Sequence, residues 1–236
     1  MNRQRGVALL LVLWVLALLG TLLAALAGTV QLQHRQALWQ AANAQALFAA
    51  EAGLGQAVMA LQGRDVEARW RADGAVHALV FDGAQVAVSV VSERGKLDLN
   101  AASLADVRRL LKACGGAPES ALQALERQRN GPVPLRTLDE LRELPGMSYA
   151  LYHCALPWVT VWAGQAQPDP ALAPPPLAQA LGLPRVRLSG ADPGQIFTVV
   201  SQATLPSGYH ATLQVTLMLI TAKEGARPYR VLRWQE

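Results

Sequence analysis

Charge is scarce in this chain. Of 236 residues, 21 are Lys or Arg and 17 are Asp or Glu, a net of +4. Arg3 and Arg5 supply two of those charges at the extreme N-terminus, so the rest carries about +2, too little for a surface that tracks phosphates. The pI of 9.4 is therefore no nucleic-acid signature. Histidine is sparse and scattered, at His34, His77, His153 and His210. No P-loop, Gly-x-Ser-x-Gly or His-Glu-x-x-His pattern occurs, which removes the common nucleotide-dependent, hydrolase and metalloprotease chemistries. The chain reads as a non-enzyme. His153 and Cys154 are adjacent potential ligands with no second pair nearby, so zinc has no evident site. Proline is missing throughout Val7 to Gln62, and charge is missing from Val7 to Val30.

That double absence defines the N-terminus. The run VALLLVLWVLALLGTLLAALAGTV is about 24 residues long and as a helix covers roughly 36 Å, enough for a hydrocarbon core of about 30 Å. Basic residues precede it, and Gln31 to Gln33 follow it. Positive flanks stay cytoplasmic, so the body is expected on the far side of the membrane. Three fates are open. A secretory signal would be cut near Ala24-Ala25-Leu26-Ala27. A plain anchor would stay uncut. The third rests on resemblance: MNRQRG, a short basic leader ending in Gly6 and running straight into the apolar helix, resembles a type IV prepilin leader. That resemblance implies cleavage between Gly6 and Val7 by a prepilin peptidase, retention of the helix and methylation of Val7.

The helical pattern continues past the span. Leu47, Leu54, Val58 and Leu61 form one stripe, and Gly63 supplies a stop signal. A single helix from about Val7 to Gln62 is expected, roughly 80 Å long, apolar all round in its first half and amphipathic in its second. Gly53 and Gly55 permit a bend or close packing on a sheet. Val-rich runs at Val76 to Phe81 and Gln85 to Val91 flank Asp82-Gly83, a strong hairpin signal. Further strands are expected at Ile196 to Leu205, Tyr209 to Thr221 and Tyr229 to Gln235, with turns at Pro206-Ser207-Gly208 and Lys223-Glu224-Gly225. The middle one of these three alternates polar and apolar at first and reads as buried on both faces later. The sum is an antiparallel sheet of about five strands with the helix on one face.

A helical insert, about Leu99 to Trp158, divides the strands. Ser103 with Asp106, and Thr137 with Glu140, read as helix starts. Leu104, Val107, Leu110 and Leu111, then Leu138, Leu141 and Leu144, are the apolar faces. Pro145-Gly146 breaks the second helix, and Tyr149 to His153 begins another. Gln165 to Pro184, rich in proline, reads as an extended surface connection back to the sheet.

Five segments, in this order, carry a wider resemblance: RGVALLLVLW, ALWQAANAQALFAAEAGL, GKLDLNAA, LRTLDELRELPGM with Tyr149 to Trp158, and YRVLRW. The chain resembles the family of general secretion pathway protein K, the minor pseudopilin K of type II secretion systems. The resemblance implies an α+β fold, a pilin-like long N-terminal helix packed on an antiparallel sheet with an inserted small all-helical domain. The expected layout is a leader at 1–6, a transmembrane and fibre-core helix at 7–30, a pilin-like domain from 31–98 and 185–236, the insert at 99–163 and the Pro-rich connection at 164–184. The insert looks trimmed relative to the family. The implied role is to cap the pseudopilus tip with minor pseudopilins I and J and to help initiate its assembly for export of folded proteins across the outer membrane. Other pseudopilins and the prepilin peptidase are the further implied partners, with the helix in the inner membrane, the N-terminus cytoplasmic and the head periplasmic.

The resemblance gives Leu11 a meaning. Counted from Val7 it is the fifth residue, where most pilins carry Glu to meet a neighbour's N-terminal ammonium. A buried carboxylate without that partner is costly, so a subunit with none above it does better without it. Taken alone, Leu11 is one more anchor residue. Cys114 and Cys154, in an oxidising periplasm, would close a loop of about 40 residues worth roughly 4 kcal/mol; the alternative is two buried thiols. Calcium is the one cofactor left open, with Asp98 and Asn100, or Asp192 in the loop Ser189 to Gln195, as oxygen donors; turn and cap chemistry is the simpler account of each. The alternative function is a membrane-anchored DNA receptor of competence type, because LDLNAASLADVRRLL and LDELRELPGM resemble helix-hairpin-helix modules. Against it, Ser148 replaces the second glycine of the turn, and Tyr149, Tyr152 and His153 stand where Lys or Arg would. No nucleic-acid partner is expected.

Overall fold

The computed structural model describes residues 3–63, 69–184, 186, 191–221 and 227–236. The expected turn Lys223-Glu224-Gly225, Ser189 of the candidate loop, and Met1 and Asn2 of the leader lie outside them. The fold is α+β, a long N-terminal helix laid on an antiparallel sheet.

Helix α1 is continuous over Arg3–Leu61, 59 residues and about 88 Å, so it starts inside the leader rather than at Val7. Every described side chain from Leu11 to Ala41 is exposed. The last four turns grip the head through Ala46, Ala49, Ala50, Leu54, Ala57, Val58 and Leu61, with Gly53 buried in the same face. The expected stripe is thus corrected. Leu47 is only half-buried at its margin, and the centre is alanine and glycine, which lets the helix axis approach the sheet. Gly63 is not in the left-handed region; the helix ends two residues before it.

Strands β1 (Asp73–Phe81) and β2 (Ala84–Ser92) form the expected hairpin. Asp82 (φ 46°) and Gly83 (φ 77°) make the two-residue turn, a conformation that Asp-Gly tolerates and that matches strand twist. Leu97–Asp98 (β3) opens the insert and Val159–Thr160 (β4) closes it, paired in parallel as Leu97 with Val159 and Asp98 with Thr160. The insert is therefore not wholly helical: this short ladder joins its entry and exit. Between them lie α2 (Leu104–Ala113), α3 (Glu119–Arg129), a 3₁₀ helix at Leu138–Glu143 and α4 (Tyr149–Ala155). Ser103 caps α2 by accepting the Asp106 N–H at 3.1 Å. The segment after Thr137 makes a 3₁₀ rather than an α-helix, because Leu144, extended at ψ 139°, stands before Pro145, where proline disfavours α geometry.

The Pro-rich connection is also corrected. It contains α5 (Pro175–Leu181), with Leu177 fully buried and Leu181 nearly so in the insert's core. Pro175 and Pro176 occupy the first helical positions, whose N–H groups have no partner within the helix, and Gly182 (φ 69°) ends it. The chain then re-enters the sheet as β5 (Ile196–Thr204), β6 (His210–Leu219) and β7 (Tyr229–Gln235). The sheet order is β1-β2-β5-β6-β7, antiparallel throughout. In β6 the buried run is Val215, Thr216 and Leu217; exposure alternates before it, and Met218 and Leu219 after it are both half-buried.

Candidate functional site

Three features distinguish this head: a bare apolar rod, a glycine notch holding the rod to the sheet, and a polar junction holding the insert.

Among the described residues the rod is the one helix long and apolar enough to cross a membrane. Within Leu11–Leu61 its most apolar window has a mean hydropathy of 2.4 and no residue buried. By length and composition it can cross a membrane. Leu11 is exposed on the rod at 62 %. Gly6 and Val7 lie within the same helix. Thr21 and Thr29 donate their hydroxyls to the carbonyls of Leu18 and Leu26 at 2.8 and 2.7 Å, which satisfies them without solvent.

The notch is Gly53. A Cβ there would lie 2.3 Å from Ser201 Oγ and 2.9 Å from methyls of both Val86 and Val88. Gly55 has nothing within 4 Å, so of the two glycines only Gly53 is required by packing.

The junction is the segment 92–96, between β2 and β3. Glu93 and Lys96 form an ion pair at 2.5 Å, their side chains 1 % and 8 % exposed. Thr198 donates to the same Glu93 oxygen at 2.6 Å and lies 2.9 Å from Thr216. Sequence reasoning missed these residues, since Glu and Lys read as surface. Around them, Ser92 donates to the Pro193 carbonyl at 2.6 Å. Gly95 sits so close to the Leu172 carbonyl that a Cβ would lie 2.3 Å from it. Arg94 pairs with Asp192 at 2.5 Å. The Asp192 carboxyl is held below the usual range by the Gly194 N–H and then by Arg94. A cleft of about 500 Å³ beside this pair is lined by Trp162, Gln195 and Met218 among others.

The insert is fastened twice more. Cys114 and Cys154 are bridged, with Cα atoms 5.7 Å apart, tying the end of α2 to α4. On β7, Arg233 donates to Asp139 at 3.1 Å, and Tyr152 donates to the same oxygen at 3.0 Å. Burial and then Asp139 push the Tyr152 hydroxyl above its ordinary value. Glu140 accepts the backbone N–H groups of Arg136 and Thr137, each at 2.9 Å. Desolvation raises its carboxyl, but these bonds together outweigh it and leave the group below its ordinary value.

The candidate oxygen donors are each engaged within the protein. One Asp98 oxygen accepts the Asn100 N–H at 2.8 Å and the other the Gly164 N–H at 2.7 Å. Asn100 exchanges two hydrogen bonds with the Leu135 backbone, at 2.8 and 3.1 Å. Both residues serve as turn caps, and Asp192 is engaged with Arg94 and Gly194. Among the described residues, no group of three or more His, Cys, Asp or Glu side chains converges. At the helix-hairpin-helix-like turn, Gly146 (φ 80°) packs on Pro118 and Ser120, and Ser120 donates to the Pro145 carbonyl at 2.9 Å. Ser148 caps α4 by accepting the Leu151 N–H at 3.2 Å. The turn is a packing element within the insert.

These features define a helical rod, long and apolar enough to cross a membrane, bearing a sheet-and-insert head. No protein-family model and no curated protein matches the chain. Among solved structures it is similar to a chain of the GspK-GspI-GspJ complex from the enterotoxigenic Escherichia coli Type 2 Secretion System, at 18 % identity and a TM-score of 0.47, with 87 % of this chain and 97 % of that one covered.

Proposed function

We propose that this chain is a minor pseudopilin of a type II secretion system, resembling the K subunit. The single observation that carries the reading is α1. It runs without interruption from the basic leader, through an apolar half whose described side chains are exposed, into a half that is the spine of the head. A cleavable signal would have no reason to share one helix with the core of the mature domain. A rod that first crosses a membrane and then packs sideways on sister rods does. Each few hundred Å² of that apolar surface removed from water contributes several kcal/mol, at about 25 cal/mol per Å².

In this role a prepilin peptidase cuts between Gly6 and Val7, Val7 is methylated, the helix holds the inner membrane and the head stands in the periplasm. Leu11 suits the tip, where no subunit above offers an ammonium to a Glu. With partner minor pseudopilins of the I and J types the chain caps the pseudopilus and starts its assembly. The junction and the disulfide support the reading by holding the insert at one angle on the head, as a surface presented to partners must be.

Intact mass of the membrane-extracted protein tests this. A methylated chain beginning at Val7 is expected, whereas a chain beginning near Ala27 or an uncut chain refutes it. Changing Gly6 to a bulky residue should block leader removal. Leu11→Glu should displace the subunit from the tip, and unchanged tip cross-linking would contradict the role given to Leu11.

A further inference from the structure

Among the described residues strand β1 is an open edge of the sheet, and the register shows which groups it presents. Phe81 and Ala84 flank a two-residue turn, so they exchange both backbone hydrogen bonds. Counting by twos, Leu79 bonds to Val86 and His77 to Val88, while Val80, Ala78 and Val76 turn their N–H and C=O groups away from β2. The same three residues place their side chains on the face opposite α1, with Val76 and Val80 exposed at 68 % and 64 %. On the other face Leu79 joins the core and His77 stacks on Trp70, ring centroids 3.9 Å apart.

Edge strands are normally blunted by charge, proline or cover. From Gly74 to Phe81 this one has no charge and no proline. The opposite edge, β7, carries Arg230 and Arg233, and Arg233 is tied to Asp139 of the insert. The β7 edge is guarded, whereas β1 has a bulge only at its start, between Asp73 and Val76, and runs on from there without charge or proline.

We propose that β1 accepts an extended strand from another polypeptide, paired antiparallel and uncharged apart from a basic residue at its N-terminal end. Antiparallel pairing brings that end to exposed Asp82, while at the far end Asp73 is accompanied by Arg71. Six backbone groups at Val76, Ala78 and Val80 supply affinity, and the exposed valines favour β-branched residues opposite them. A second copy is the wrong occupant. An antiparallel two-fold pair at this edge reverses α1, so the two apolar rods point in opposite directions and cannot enter one membrane from the same side. That exclusion rests on the anchoring proposed above, which the mature mass tests separately.

The test uses the full chain in nanodiscs and a labelled peptide, Lys-Thr-Val-Thr-Val-Thr-Gly, followed by fluorescence anisotropy. Saturable binding is expected. It should weaken at least about tenfold, or 1.4 kcal/mol, with Val80→Lys, with Ala78→Pro and with the peptide N-methylated at alternate residues. Ala78→Pro is chosen because its N–H points outward: the β1–β2 ladder keeps its bonds while the open edge loses a donor. If that variant melts early, Val80→Lys decides alone. Absence of saturable binding, or equal binding to wild type and Val80→Lys, overturns the proposal. So does a peptide-free dimer that Val80→Lys dissolves, which would make the second copy the occupant.

Discussion

Gly53→Ala sets two effects of opposite sign against each other. In an isolated helix the change is favourable by about 1 kcal/mol, because alanine loses less backbone entropy and is the best helix former. Here the new Cβ would lie 2.3 Å from Ser201 Oγ and 2.9 Å from methyls of Val86 and Val88. One such contact could be relieved by a rotamer change. Three cannot, because Ser201 is fully buried and Val86 and Val88 are 2 % and 0 % exposed on a central strand. The helix must lift from the sheet or the strands must shift, and three such contacts place the overpacking cost in the upper part of the usual range, about 2–3 kcal/mol. Packing outweighs propensity, and the net loss is about 1–2 kcal/mol, read as a fall in Tm of about 2–8 °C for a chain of this size. Circular dichroism of the full chain in detergent measures it. Ser201→Ala removes the nearest atom, so the double variant should recover part of the loss, a coupling that a mutant cycle resolves. A Gly53→Ala protein that melts at or above the wild-type temperature would refute the account of how α1 is seated.

Three further outcomes follow from the attachments of the insert. Lys96→Met strands the Glu93 carboxylate in the interior and should cost about 3–5 kcal/mol; adding Glu93→Met should recover much of that in chemical denaturation, and a double variant as unstable as the single would count against the ion pair. Reducing the Cys114–Cys154 bridge, which spans 40 residues, should remove roughly 4 kcal/mol in the chain-entropy model and expose the insert to limited proteolysis before the sheet; an unchanged cleavage pattern would show that the bridge constrains nothing. Tyr152 has its pKa raised above 10.0 by burial and by Asp139, so its contribution to stability is complete below the unfolded value and lost as pH rises through the folded one. Tyr152→Phe should cost about 1 kcal/mol at neutral pH and flatten that alkaline loss in thermal melts recorded from pH 8 to 11.

The junction illustrates what a linear reading leaves out. Glu93 and Lys96 are ordinary surface residue types, and their neighbour Thr198 lies more than a hundred positions away. Only the pairing of β2 with β5, which sets Ser92 opposite Phe197, brings the three together. The proline run misled for a related reason. Pro174 to Pro176 reads as extended chain, yet proline is also favoured at a helix start, and Leu177 and Leu181 supply an apolar face that becomes visible once the insert offers a core to cover. Helix α3 carries no side-chain N-cap, so the kind of cap signal that located α2 and the 3₁₀ helix was absent there.

What the sequence determined by itself is local or periodic. A long apolar stretch without charge or proline favours a helix able to cross a membrane by length and composition, Asp82-Gly83 between valine runs favours a tight turn, and Ser103 with Asp106 and Thr137 with Glu140 mark helix starts. Those properties depend on neighbours a few residues apart, and so survive in one dimension. The tertiary structure decided which helix face is buried, which glycine is indispensable, which charges leave water and which sheet edge stays open. Each depends on what packs opposite, and that partner is set by the register of distant strands.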